Sequence, residues 1–394
     1  MLLTGTLGES RPYGFSVESL IKQCIPYSHK SVEDSLVTIN SPTKINMMNT
    51  SQKLIALLSG AALLSVSSLT AQTATTAPVG YVTTTTPTGD DTQIGVPLAQ
   101  ATALASVADS VSDAVVTVSA TLVANAYDNT HYVLATSGAN AGQWSEVVTT
   151  AANSITTAEV LLAAGDTFEV IPFWTLATAF PGGEGVGDTV DAFNPARTVS
   201  INDLNAQGIN LSAAATYFYF PGPTPVAAGW YQTGNFNSSD NVRLSPETFI
   251  TLRNSSGSSL DTVISGTVPA NVTGTTVVGV AEAAQDNQLV NPYPAPITLG
   301  ASGLTSVVAP AADAFNPLDT VSIYDIENSA GQNISAAATY FYFAGPSPAA
   351  GWYQTGNFAV SDNVVIPAGG AFIVRKGAGD NESLAWNPPL PYAL

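Results

Sequence analysis

The side chains that most enzymes use for nucleophilic or metal chemistry are almost missing downstream of residue 71. That part of the chain holds one histidine, His131, and no cysteine, because the single cysteine, Cys24, lies upstream. A Ser-His-Asp triad would have to use His131, and no Gly-x-Ser-x-Gly elbow supplies its nucleophile. Zinc sites rely on His and Cys ligands. The composition therefore disfavours both kinds of centre.

Aspartates that recur in pairs are the remaining side chains that could act in catalysis or metal binding. They are Asp191 and Asp313, Asp203 and Asp325, and Asp240 and Asp362. An Asp just before a strand often accepts hydrogen bonds from nearby backbone amides, so we interpret these residues as structural turns. Calcium is the one cofactor that remains an alternative, because it prefers oxygen ligands, and its candidate ligands are Asp203, Asp240, Asp325 and Asp362. A glycoside hydrolase, which needs only two carboxylates, is the least favoured alternative.

Aromatic residues also recur and could contact a ligand. Exposed tyrosine rings on a sheet can stack on sugar rings, and the candidates are Tyr217, Tyr219, Tyr231, Tyr340, Tyr342 and Tyr353. The competing interpretation is that the aromatic residues of each copy pack in its core. We expect Trp230 and Trp352 in the core and the alternating tyrosines on the surface.

The candidates recur because the chain contains a tandem duplication. Asp191-Ala-Phe-Asn-Pro195 returns at residues 313–317, Ser212–Phe220 at 335–343 and Gly229–Phe236 at 351–358. A fainter third copy matches Val160–Val170 to Val364–Val374, and a tryptophan (Trp144, Trp230 or Trp352) precedes this segment in each copy. The spacing predicts three modules, at 72–182, 183–279 and 280–394, and the middle one lacks the leading proline segment.

The elements that must position these residues are strands. Short runs rich in Val, Ile, Thr, Tyr and Phe are bounded by clusters of Gly, Pro, Asn, Asp and Ser, and no long stretch has a helical period. Pro367-Ala-Gly-Gly370, for example, predicts a tight turn between two strands. The sequence therefore predicts an all-β fold of tandem β-sandwich-like modules with internal repeats.

A signal peptide is predicted at residues 47–71. Lys53 precedes an apolar run from Leu54 to Val66, which is shorter than the ~20 residues of a membrane-spanning helix, and Ala71 provides a cleavage site. Residues 1–46 are then best explained by a start codon assigned too early. We expect an extracytoplasmic protein, secreted, on the cell surface or in the periplasm.

The charge restricts the partners. The formal net charge is −19 at pH 7, and such a surface repels phosphate backbones and anionic lipid headgroups. We therefore expect no nucleic-acid partner and no membrane insertion. Polysaccharide binding and self-association stay open.

One segment supports a family resemblance. The segment Leu289-Val-Asn-Pro-Tyr-Pro-Ala-Pro296, together with Val321–Asp325 and Pro367–Val374, resembles an uncharacterised family of exported β-rich repeat proteins from Verrucomicrobia-type bacteria. It is more loosely similar to the Asn-Pro-Tyr-Pro modules of Bacteroidetes surface proteins. The resemblance implies export and a repeated β architecture, and it transfers no functional residue.

Taken together, these features favour a non-enzymatic structural or adhesive interaction protein. A glycan-binding protein that uses the six tyrosines is the alternative, and a carboxylate-based glycoside hydrolase is the least favoured.

Overall fold

The computed structural model describes residues 77–222, 227–324, 331–346 and 349–394. Residues 1–46, the predicted signal peptide at 47–71 and Asp325 lie outside the described residues. Nearly all regular structure in the described part is antiparallel strand, so the prediction of an all-β, sandwich-like fold is confirmed. No helix within these ranges has the length and apolar character needed to cross a membrane.

The strands form three groups, which we name the N-unit (β1, β2 and β10–β16), the inserted unit (β3–β9) and the C-unit (β17–β25). The N-unit begins with β1 Val79–Thr86 and β2 Asp91–Ile94. The inserted unit follows with β3 Leu104–Val107, β4 Ser110–Ser112, β5 Val115–Thr117, β6 His131–Ala135, β7 Trp144–Ala151, β8 Ser154–Thr157 and β9 Thr167–Pro172.

The chain then returns to the N-unit before it forms the C-unit. The remaining N-unit elements are β10 Trp174–Thr175, helix α1 Leu176–Ala179, a 3-10 turn Pro181–Gly183, β11 Arg197–Asn202, β12 Ala213–Phe220, β13 Gly229–Gln232, β14 Arg243–Leu244, β15 Ile250–Asn254 and β16 Leu260–Thr267. The C-unit comprises β17 Thr275–Val277, β18 Gln285–Val290, β19 Ile297–Thr298, 3-10 turns Leu299–Ala301 and Leu304–Ser306, β20 Thr320–Ile323, β21 Ala338–Phe343, β22 Gly351–Gln354, β23 Val365–Ile366, β24 Ala371–Lys376 and β25 Leu384–Trp386.

The N-unit and the C-unit have the same strand order. Their five-stranded sheets run β2-β15-β11-β12-β13 and β18-β24-β20-β21-β22. The smaller pairs also correspond, because β1 pairs with β16 and β10 with β14, as β17 pairs with β25 and β19 with β23. Strand β2 comes from the segment before the inserted unit, so the N-unit is discontinuous in sequence. The middle predicted module lacks its own leading segment, and Asp91–Ile94 takes that place by pairing with β15.

The inserted unit uses part of the same arrangement. Its sheet runs β3-β9-β6-β7-β8-β5-β4. Strands β3, β9, β6, β7 and β8 take the same places as β2, β15, β11, β12 and β13 of the N-unit, with the last strand in sequence next to the first. Strands β4 and β5 extend it beyond β8. Val133, Val147, Phe168 and Val170 are among the buried residues that form its own core.

Large aromatic side chains anchor the cores of the N-unit and the C-unit. Trp230 is fully buried against α1 and β16, and Trp352 occupies the same place in the C-unit, beside Phe372 and Trp386. Each such side chain contributes on the order of 2 kcal/mol or more by leaving water. Because side chains alternate along a strand, the neighbouring Phe218 and Phe341 point to the opposite face of each sheet, where smaller aromatic clusters form.

The two units are joined by reciprocal hydrogen bonds to an ion pair in each unit. The buried Asp91 carboxylate accepts hydrogen bonds from the Arg253 guanidinium at 2.8 and 2.7 Å, and Asn333 of the C-unit adds its main-chain amide at 2.7 Å. In return, Asp286 binds Arg375 at 2.6 and 2.8 Å. The N-unit completes that pair with the main-chain amide of Asn210 at 2.7 Å. Each unit therefore completes an ion pair of the other, which fixes their relative position.

Candidate functional site

The structure buries most of the tyrosines proposed as ligand contacts. Tyr217, Tyr231, Tyr340 and Tyr353 are each at most 9% exposed. Tyr219 and Tyr342 are partly buried and pack their rings on Trp230 and Trp352, with centroids 5.8 and 5.6 Å apart. The expectation that the alternating tyrosines are exposed is contradicted, because both faces of these sheets are covered by other residues.

The hydroxyl groups of two of these tyrosines also donate hydrogen bonds to loop carbonyls. The Tyr231 hydroxyl donates to the carbonyl of Ala227 at 2.9 Å, and Tyr353 does the same to Ala349 at 2.8 Å. Satisfying a buried hydroxyl in this way stabilises the chain entry into β13 and β22. These contacts explain why tyrosine recurs at this position without a ligand.

The recurring aspartates bind backbone amides. Asp240 accepts from the Trp230 amide at 2.9 Å, and Asp362 accepts from the Trp352 amide at 3.1 Å. A side chain on Gly351 would place its Cβ 3.0 Å from the Asp362 carboxylate, a tight contact that glycine avoids. Asp203 accepts from the Asn205 amide at 2.9 Å.

A calcium site is not assembled from these carboxylates in the described ranges. Calcium takes about 6–8 oxygen ligands. Across residues 77–222, 227–324, 331–346 and 349–394, no three His, Cys, Asp or Glu side chains lie close enough together to hold a metal ion. Asp203, Asp240 and Asp362 each act in a separate turn, and Asp325 lies outside the described residues.

His131, the histidine considered for a triad, has local partners. Its Nδ1 lies 2.8 Å from the Thr130 hydroxyl, and its ring centroid lies 4.9 Å from that of Tyr127. Burial lowers the pKa of His131, so the imidazole is neutral at pH 7. These contacts give it a structural role at the start of β6.

Two phenylalanines for which the sequence analysis makes no prediction are highly exposed and recur in both units. Phe193 is 86% exposed and Phe315 is 85% exposed, in the duplicated Asp-Ala-Phe-Asn-Pro segments. The preceding aspartates hold them in place, because Asp191 accepts from the Phe193 amide at 3.0 Å and Asp313 from the Phe315 amide at 2.9 Å. Such turns fix the backbone and present the ring to solvent.

Each exposed ring is the tip of a column of three phenylalanines. Phe193 stands edge-on to Phe236 with centroids 5.2 Å apart, and Phe236 contacts the fully buried Phe218 at 6.1 Å. We call this set the N-column. The C-column consists of Phe315, Phe358 and Phe341, with centroid distances of 5.1 and 6.2 Å. Edge-to-face geometry is the favourable arrangement for such rings.

The middle phenylalanine of each column has an unusual backbone conformation. Phe236 has φ +54° and Phe358 has φ +55°, a region that bulky residues rarely adopt. The turn is held by the amide of Phe236, which donates to the Gln232 carbonyl at 3.2 Å, and by the equivalent Phe358 bond to Gln354 at 3.0 Å. Strain of this kind costs on the order of 1–3 kcal/mol and tends to occur at functional positions. Its occurrence in both units marks the columns as candidate binding surfaces.

The sequence segments that carry both tips are acidic. Asp188 and Asp191 flank the N-column tip and Asp313 flanks the C-column tip, and no Lys or Arg occurs at 186–196 or 311–318. Sequence reasoning could have found the columns, because the duplicated Asp-Ala-Phe-Asn-Pro segment contains the outer ring of each column and the duplicated Gly-Asn-Phe segment contains the middle ring. From sequence, only tyrosine and tryptophan are considered as ligand contacts, and no prediction is made for Phe193 or Phe315.

Comparison with known proteins gives no match of any kind. No protein family matches the chain, and no curated protein or solved structure is significantly similar to it. Function is therefore inferred from the geometry alone.

Proposed function

We propose that this chain is a non-enzymatic, extracytoplasmic adhesive protein that binds a repetitive partner through the tips of the N-column and the C-column. The observation that carries the proposal is that the exposed rings of Phe193 and Phe315 recur in both units, each at the end of a column of packed phenylalanines. Exposed apolar side chains on rigid supports are typical of interaction sites. Burying one such ring against a partner is worth about 2 kcal/mol.

Two equivalent sites favour a partner with repeated units. Hydrogen bonds from Asn333 to Asp91 and from Asn210 to Asp286 hold the N-unit and the C-unit together, and the proposal is that both tips engage one extended molecule. Once the first tip is bound, the second binds at a high effective concentration, which strengthens attachment without any new contact. This arrangement suits adhesion.

An uncharged polysaccharide is the partner class that fits best. Its sugar rings offer apolar C–H faces to a phenylalanine, and it carries no phosphate or carboxylate for the acidic chain to repel. Self-association is less favoured, because pairing two tips would bring Asp191 or Asp313 of one copy towards its counterpart in another. Export is supported by the apolar run at 54–66 followed by Ala71.

The test is retention on a panel of uncharged polysaccharides. We expect the wild-type chain to bind at least one of them and the Phe193→Ala/Phe315→Ala double variant to lose at least about tenfold in affinity. Tyr81→Ala is the matched control, because Tyr81 is 73% exposed on β1 and belongs to neither column. Equal losses in the control and the double variant, or no binding by the wild type, would reject the proposal.

A further inference from the structure

A pocket outside both columns lies where three parts of the chain meet. It has a volume of about 280 Å³ and is formed by β6 and β9 of the inserted unit, the residues just before β1, and residues 267–273 after β16. Its walls are mainly apolar and include Tyr132, Leu134, Ile171, Val268, Pro269 and Ala270. Small-molecule sites typically have volumes of about 300–1,000 Å³ and lie at such junctions. The size therefore suits a small ligand.

One charged side chain, Glu169 of β9, lines this pocket. Its carboxylate is held from two directions, because the Thr102 hydroxyl donates to Oε2 at 3.3 Å and the Asn271 side-chain amide donates to Oε1 at 3.1 Å. A carboxylate oxygen can accept more than one hydrogen bond, so both oxygens keep capacity for a donor from a ligand.

An aromatic ring lies beside the carboxylate. Tyr132 packs on Phe173 and Trp144, with centroids 5.1 and 5.8 Å away, so its ring is fixed. Burial, together with the negative charge of Glu169, raises the pKa of Tyr132, so the phenol stays neutral. A neutral aromatic face and a carboxylate both attract cations.

We propose that this pocket binds a small organic cation, a single ammonium group on a compact apolar body. The ammonium would pair with Glu169, and the apolar body would lie against Leu134, Ile171 and Val268. A small organic anion would be repelled by the Glu169 carboxylate, and a neutral ligand of the same shape would gain no charge–charge attraction from it. The lining thus selects for positive charge and apolar shape together.

The test uses three probes of similar shape on the full chain: phenethylammonium, 2-phenylethanol and phenylacetate. By isothermal titration calorimetry we expect the ammonium to bind, the alcohol to bind at least about tenfold more weakly, and phenylacetate to bind least. Glu169→Gln keeps the shape of the side chain and should weaken ammonium binding by at least about tenfold. Glu159→Gln changes an exposed carboxylate of the same unit and should leave it unchanged.

A second variant covers the case in which Glu169→Gln fails to fold. Ala270 is an exposed residue that lines the pocket. Ala270→Phe should fill the pocket while the Glu169 carboxylate remains, and it should therefore abolish ammonium binding. Ammonium binding of wild-type strength in either folded variant would overturn the proposal. So would equal binding of phenylacetate, or no binding of phenethylammonium to the wild type. None of these results depends on Phe193 or Phe315, so this inference can fail independently of the adhesive function.

Discussion

Asn333 of the C-unit donates its main-chain amide to Asp91 of the N-unit at 2.7 Å, and both Asn333 and its counterpart Asn210 have φ +55°. The left-handed backbone points each amide at the carboxylate of the other unit, and asparagine tolerates this conformation better than most residues. Two units with the same strand order are thereby joined by the same contact in both directions.

The first prediction concerns this contact. Asp286→Ala removes the partner of the Arg375 guanidinium and should lower the free energy of unfolding by about 2–3 kcal/mol in chemical denaturation. The loss is smaller than for a fully buried pair, because the Arg375 side chain is 38% exposed. Asn210→Gly is the matched control. It keeps the positive φ and the amide donor but loses the 3.2 Å bond from Arg375 to the Asn210 side chain, so it should cost about 1 kcal/mol or less. Equal costs for the two variants would contradict this account.

The second prediction concerns the pH dependence of stability. Burial raises the pKa of Glu247 to about 7, while its carboxyl accepts a hydrogen bond from Thr275. The folded chain then retains a proton that the unfolded chain releases near pH 4.5, so this group makes stability fall as pH rises from about 4.5 to 7. Glu247→Gln should abolish that decline. At pH 8 the variant should be more stable than the wild type by about 3 kcal/mol, and near pH 4.5 the two should be similar.

Thermal unfolding of both proteins across this pH range measures the effect. Glu184→Gln, at an exposed carboxylate, is the control and should follow the wild type. A constant offset between Glu247→Gln and the wild type at all pH values would show that the carboxyl does not titrate in this range.

The third prediction concerns the turn aspartates. Asp362→Ala leaves the Trp352 amide without its acceptor and should cost about 1–3 kcal/mol, whereas Asp362→Asn keeps an acceptor oxygen and should cost less. Because Asp240, Asp362 and Asp203 accept backbone amides in separate turns, calcium and chelator should give the same melting temperature. A rise of several degrees with calcium would restore these aspartates as candidate ligands.

The strands and the duplicated segments could be predicted because both depend on local sequence. Gly351, Trp352 and Asp362 recur with their counterparts because one turn needs all three. The discontinuity of the N-unit could not be predicted, since β2 pairs with β15 across the whole inserted unit and local sequence does not specify such a pairing. Trp144 illustrates the same difficulty. Trp144 begins β7, which corresponds to β12 of the N-unit, whereas Trp230 lies in the next strand, β13. The two tryptophans are therefore not in equivalent strands.

The candidate site was only partly accessible from sequence. Recurrence marked the correct segments, but the exposure of each ring depends on which face of a strand is covered. Tyr231 is buried because it packs in one cluster with Phe218 and Phe236 on the outer face of the sheet. Phe193 is exposed because the Asp191 turn holds its backbone beyond that cluster. Hydrophobicity alone assigns phenylalanine to the core, which is why the tips of the columns were missed.

The most direct test of the central claim is the polysaccharide affinity of Phe193→Ala, Phe315→Ala and the double variant, measured beside their stability. Both rings are at least 85% exposed, so all three variants should keep the wild-type free energy of unfolding within about 0.5 kcal/mol. Each single variant should lose about tenfold or more in affinity because it loses one of two linked contacts, and the double variant should not bind. A double variant that binds like the wild type would show that the columns are not the binding surface.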